Sequence, residues 1–219
     1  MTLFGRVIMF FPITMMLTLL GLVISFAKHP SAAKLALIFA AAYGLPLLAF
    51  RIHNFIFSLK EGLQKDFSDP NRYAAWWGGH FIQLIYYWLP FLEVGLRLTP
   101  GAYSLWLRLW GAKIGKNVFW GPLVTVEDRS LLEVGNGVIF GHMSKTISHV
   151  IYPNKLGTLT CYVKKVKIGD GVFVGAQAQL GPGCVVASGT MIPVMTTLKI
   201  NKHVDSATFA PVYTAPMNP

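Results

Sequence analysis

The chain reads as a parallel β solenoid that follows an apolar helical hairpin, and three observations predict this. An aliphatic residue returns at every sixth place in Ile168, Val174, Leu180, Val186 and Ile192, with Leu198 continuing the register. Small or β-branched residues hold the fifth place of each hexad, in Val172, Ala178, Cys184, Thr190 and Thr196. Near the N-terminus, Val7 to Ala27 is a run without a single charge.

That run, VIMFFPITMMLTLLGLVISFA, is long enough at about 1.5 Å per residue to cross roughly 30 Å of hydrocarbon. Arg6 before it and the small residues SFA at its end also fit a cleaved signal peptide. The apolar stretch is longer than such signals use, however, and a second one follows. Leu35 to Phe50 is flanked by Lys34 and Arg51, whose long stems can carry their charges out to the interface. Residues 1–58 are therefore expected to form a transmembrane helical hairpin. Residues 59–112 are expected to supply interfacial helices, because Trp76 to Leu98 is aromatic yet carries His80, Gln83, Glu93 and Arg97. Ala102 to Trp110 sets Leu105 with Leu109 and Trp106 with Trp110 at helical spacing, with Arg108 available to lipid phosphates.

Composition narrows the partners. The chain is 53% hydrophobic and 13% charged with a net charge of +10. No basic run, zinc spacing or aromatic RNA-binding motif accompanies that charge, so nucleic acid is not expected and anionic membrane lipid is. Arg51, Lys60, Lys65 and Arg72 follow the hairpin, whereas its internal loop offers Lys28 and Lys34, and Arg6 precedes it. This asymmetry places the solenoid on the cytoplasmic side of the cytoplasmic (inner) membrane.

A period of six suits neither a helix nor an ordinary strand. It suits a solenoid in which each hexad supplies one short strand and one turn, with the aliphatics stacked inward. The register begins earlier, at Ile114, Trp120 and Val126, and resumes at Val134 and Phe140 after two extra residues that imply a bulge or short loop. The solenoid is thus expected over 113–198. It is interrupted by an insertion at about 146–166 and followed by a C-terminal tail, 199–219.

The stretch IGDGVFVGAQAQLGPGCVVASGTM resembles the left-handed parallel β-helix of the hexapeptide-repeat acyltransferases. SLWLRLWGAKIGKNVFWGP, followed by LLEVGNGVIFGH, is similar to the membrane-associated hexapeptide domains of polylysine-type nonribosomal peptide synthetases. The resemblance implies a homotrimer whose active sites lie between neighbouring β-helices. It implies as donor acyl-coenzyme A or the phosphopantetheine of an acyl-carrier protein, with no metal. A histidine would act as base, and the match falls on His142. His149 lies in the insertion, which in this family reaches towards a neighbouring subunit, and is the second candidate as base or substrate ligand.

The chemistry asks for such a residue independently. A hydroxyl or amine attacking a thioester must lose its proton as the bond forms, and imidazole titrates near neutral pH. Asp128 is the first choice for fixing the histidine tautomer and Glu127 the second, on the expectation that coil geometry turns this bulged corner towards His142. Gly175 and Ala176 are candidates for the pantetheine arm, because small residues let it approach the coil backbone. Lys165 and Lys167, with Lys164, are candidates for a coenzyme A phosphate or an acidic carrier protein. The expected activity is transfer of an acetyl, fatty acyl or aminoacyl group to a hydroxyl or amine of a lipid-linked or membrane-proximal acceptor, with a membrane-associated synthetase as a possible partner. The alternatives are a non-catalytic trimeric membrane scaffold and a zinc protein of the gamma-type carbonic anhydrase kind, for which the solenoid supplies too few histidines.

Overall fold

A computed structural model of the chain describes residues 2–64, 69, 71–153, 155 and 157–213; Lys65 and the end of the tail lie outside them. The chain divides into two compact units, Met1–Glu93 with Tyr152–Cys161, and Val94–Ile151 with Tyr162–Pro219.

In the first unit, Leu3–Lys28 and Ala32–Ile56 are helical segments long and apolar enough to cross a membrane. Their outward residues, among them Leu17, Leu20, Val23, Leu48 and Phe55, are exposed and apolar. Ser31 caps the second segment by accepting from the Lys34 N–H at 3.3 Å. Ala40–Gly44 within that segment widens into a π-helix, which turns backbone groups out of the regular ladder. Two tyrosines answer it: Tyr86 donates to the Ala42 carbonyl at 2.9 Å, and Tyr43 itself reaches out to the Leu92 carbonyl at 2.8 Å.

The helix Ala75–Gln83 packs within this unit, where its Trp76, Ile82 and Gln83 are buried, while Trp77, His80 and Phe81 along its other side are half-buried. Its glycines explain the close fit. A Cβ at Gly78 would overlap the Tyr73 hydroxyl and the His53 ring, and one at Gly79 would lie 3.3 Å from Phe50.

The second unit contains three parallel sheets that fit the left-handed parallel β-helix the hexads predict. The first comprises Lys113–Ile114, Leu132–Val134, Val166–Ile168, Val185–Val186 and His203–Val204. The second holds Phe119–Trp120, Ile139–Phe140, Phe173–Val174 and Met191–Ile192; the third holds Thr125–Val126, Lys145–Thr146, Gln179–Leu180 and Thr197–Leu198. Each strand pairs in register with the one a coil away, for example Val174 with Ile192 and with Phe140. The sixfold places therefore form inward columns of buried aliphatic and aromatic side chains. Trp120 and Phe140 stack in theirs with ring centroids 4.5 Å apart.

Three details differ from the sequence reading. The coils continue past Leu198, because Val204 takes the next sixfold place and His203–Val204 pairs with Val185–Val186. His203 is therefore a strand residue. Asp205 then accepts from the Thr208 N–H at 2.9 Å at the start of the helix Ser206–Tyr213. Thr146 and Val166 also belong to coil strands, and the insertion's own strands are His149–Pro153 and Leu159–Val163, the latter bonded to Gly62–Gln64. Finally, Ala102–Trp110 turns its tryptophans inward with Tyr103, Ser104 and Leu107, while Leu105, Arg108 and Leu109 face outward.

Thr146 occupies an aliphatic place between Val126 and Leu180, and its buried hydroxyl has no hydrogen-bond partner among the described residues. An unsatisfied buried donor costs about 1–3 kcal/mol. Thr146→Val keeps the shape and removes that cost, so it should raise stability by about 1 kcal/mol, read as a rise of a few degrees in thermal midpoint.

Candidate active site

The two residues that lengthen the coil after Val126 carry the site. Val126 pairs with Thr146, twenty positions on, so Asp128 comes alongside Ser148 and His149. The Asp128 side chain is buried, and its Oδ2 accepts from the Ser148 N–H at 3.0 Å and from His149 Nδ1 at 2.8 Å. Ser148 is held in turn by donating its hydroxyl to the Leu131 carbonyl at 2.8 Å.

A carboxylate only accepts, so Nδ1 carries the hydrogen and Nε2 the basic lone pair. Glu127 adds a second negative charge, its Oε2 3.9 Å from His149 Nε2, while its other oxygen is bound by Lys145. Burial alone would lower the His149 pKa. The hydrogen bond and charge of Asp128, with the charge of Glu127, outweigh burial and leave the imidazole more basic than ordinary histidine. A nearly enclosed histidine oriented by a buried carboxylate has the arrangement that general-base chemistry requires.

The expected pairing of Asp128 with His142 is corrected by this geometry. His142 follows Phe140 at the corner after the second sheet, whereas Asp128 lies beyond the third sheet. Its side chain is exposed and makes no hydrogen bond among the described residues; its carbonyl accepts from the Gln177 N–H at 2.8 Å.

Gly175 and Ala176 occupy the same corner one coil on, next to Gly141 and His142. A Cβ at Gly175 would stand 2.6 Å from the Ile192 carbonyl oxygen, so the closeness of successive coils requires a glycine there.

Lys165 and Lys167 lie elsewhere, on the outer side of the first sheet. Glu133 gathers them, 3.3 Å from Lys165 and 3.9 Å from Lys167, with Lys113 at 3.4 Å. Burial would raise the Glu133 pKa, but the hydrogen bonds and charges of Lys165 and Lys113 bring it below the usual carboxylate range.

The candidates thus fall into three places: Asp128 with His149, His142 with Gly175 and Ala176, and Lys165 with Lys167. Sequence reasoning missed Ser148, the clamp on Asp128. The twenty-residue offset of that coil was the signal that could have found it.

No family model matches the chain, and no curated protein does. Among solved structures it is similar to a hexapeptide-repeat-containing acetyltransferase from Vibrio cholerae, at 11% identity over 54% of this chain and 84% of that one, with a TM-score of 0.33. It is also similar to a galactoside acetyltransferase in complex with coenzyme A, at 14% identity over 52% and 74%, with a TM-score of 0.31. A maltose O-acetyltransferase from Clostridium difficile 630 is similar at 14% identity over 54% and 80%, with a TM-score of 0.27.

Proposed function

We propose that the chain is a membrane-anchored acyltransferase that moves an acetyl, fatty acyl or aminoacyl group from a pantetheine thioester to a hydroxyl or amine of a membrane-proximal acceptor. The observation that carries this reading is the Asp128–His149 pair. His149 Nε2 takes the acceptor's proton as its oxygen or nitrogen attacks the thioester carbonyl. The C–S bond then breaks, and the departing thiolate receives that proton from Nε2. Asp128 stabilises the imidazolium formed between the two steps. The three lysines around Glu133 leave a net positive charge that suits the phosphates of coenzyme A.

The outer faces of the three sheets supply the reason to expect a homotrimer. The first sheet faces outward with Lys113, Glu133, Lys167, Val185 and His203, and the third with Thr125, Lys145, Gln179 and Thr197. The second presents a column of Phe119, Ile139, Phe173 and Met191, exposed by 60%, 42%, 36% and 46%. The adjoining corner extends it with Leu123, Met143 and Met195, all in the left-handed region at φ 57°, 55° and 58°. Apolar residues held there cost about 1 kcal/mol each relative to glycine. Burial against a second copy offsets that cost and hides the apolar strip.

His142 sits in that corner, which favours a second reading: His142 as base at a subunit boundary, with the pantetheine arm along Gly175 and Ala176. Native mass spectrometry of the detergent-solubilised protein with acyl-coenzyme A and acyl-carrier protein, metal read from the same sample, tests the function. A trimer that binds a thioester donor supports it. A trimer that binds neither donor is the scaffold, and stoichiometric zinc without donor binding is the anhydrase-like protein.

A further inference from the structure

We infer that a cavity at the first coil of the solenoid binds the phosphate of an anionic membrane phospholipid. The cavity measures about 480 Å³ and is lined from both the helix Ala102–Trp110 and the coil that follows. Two arginines, Arg97 and Arg108, stand at it, and no acidic residue does. Arg97 is fixed by donating Nη2 to the Val124 carbonyl at 2.6 Å and by lying 4.2 Å over the Tyr103 ring. Arg108 is aimed by donating Nε to the Ile114 carbonyl at 2.9 Å and Nη2 to the Gly115 carbonyl at 2.7 Å. These two carbonyls orient the Arg108 guanidinium without neutralising it. Among the described residues, Arg108 meets no carboxylate, so its charge faces the cavity uncompensated.

The inner wall is aromatic and carries one hydroxyl. Trp120 and Tyr103 meet edge to face at 5.1 Å, and Trp120 Nε1 donates to Ser104 Oγ at 2.9 Å. Ser104 is buried, and its hydroxyl, having accepted from Trp120, keeps its own hydrogen to donate. The Arg108 guanidinium and one buried hydroxyl donor, with Arg97 lining the same wall, make a site for a phosphate's oxygens, where charge-assisted hydrogen bonds are strongest.

The surroundings select a lipid as the bearer of that phosphate. Leu98 is 80% exposed, and Leu105 and Leu109 share the outward face of their helix with Arg108. Exposed leucines flanking an anion site suit acyl chains leaving the headgroup. The net charge of +10 draws the chain to the same surface. The inference rests on the membrane-anchored part of the proposed function and not on acyl transfer.

The test is native mass spectrometry of the full chain in a neutral detergent against phosphatidylglycerol, diacylglycerol and soluble glycerol phosphate. One phosphatidylglycerol should bind per protomer, at least tenfold tighter than diacylglycerol. Arg108→Gln should weaken it about tenfold. Asn117→Asp, at an exposed position lining the cavity, puts a carboxylate beside the phosphate without removing a structural bond, and should weaken it similarly. Equal binding of diacylglycerol, or unchanged binding by both variants, would overturn the site. Displacement by glycerol phosphate at the affinity of the lipid would overturn the lipid assignment. Carbonate extraction of membranes distinguishes the failures: a chain washed off by carbonate refutes the anchor, and a retained chain without lipid selectivity refutes this site.

Discussion

His149→Ala should abolish acyl transfer, with a loss of about 10²–10⁴-fold in kcat, while the thermal midpoint and the oligomeric state stay close to those of the parent. The side chain lies at the start of the insertion and outside the inward columns, so removing it leaves the stacked columns in place, Asp128 keeps the Ser148 N–H, and the lost bond to Asp128 should lower the midpoint by a few degrees at most. Asp128→Asn should lower the rate by about 10–100-fold through loss of tautomer control and of charge on the imidazolium. The pH profile separates these roles from mere packing. The raised His149 pKa means that the neutral, active base appears only above the ordinary histidine range, so the acidic limb of kcat/KM should have its midpoint above about 6.5. In Asp128→Asn the largest raising influence is gone, and the limb should move to lower pH. An unmoved limb, or full activity in His149→Ala with loss in His142→Ala, would transfer the role of base to His142.

Neighbouring residues on one strand should give opposite results on substitution by aspartate. Val174 points inward, is fully buried and stacks between Phe140 and Ile192. Val174→Asp buries a carboxylate with no partner, at a cost above about 5 kcal/mol, comparable with the entire stability of a domain. It should yield no folded protein, seen as loss of β circular dichroism and of the cooperative melt. Phe173 points outward on the apolar strip. Phe173→Asp should keep the monomer folded and dissociate the proposed trimer, read by light scattering in detergent. A folded Val174→Asp would refute the inward register, and a Phe173→Asp that still forms trimers would remove the second sheet from the proposed interface.

The solenoid was legible because its inward places repeat without exception from Ile168 to Leu198, and each aliphatic there meets the next a coil away. The register was legible less far where a polar residue filled an inward place, as Thr146 does, and at the end, where Val204 holds the correct place but stands alone. The helical hairpin was legible from the absence of charge. The packing of Trp76 and Ile82 into it was not, since aromatic residues look alike whether they face lipid or neighbouring helices. Asp128 and His149 were visible in the sequence, but their pairing, and the Ser148 that holds Asp128, were not. Asp128 and His142 are fourteen residues apart in a coil that takes twenty to return, so they cannot come together on one edge, whereas Asp128 and His149 do. A two-residue excess in a coil is easily read as a passive bulge.

The placement of the insertion has a consequence for how the molecule opens. Stacked coils behave as a one-dimensional array in which each coil is secured by its neighbours. From Ile168 onward the array is unbroken, whereas the insertion lengthens the chain between Ile147 and Lys165, so the earlier coils close only after a long loop is ordered. Amide hydrogens of Ile168–Leu198 should therefore exchange slowest and as one cooperative block. Those of Phe119–Thr146 should exchange through an easier, separate opening. That softer block carries both Glu127 and Asp128, so the groups that tune His149 would belong to the part of the solenoid able to loosen without unfolding the rest.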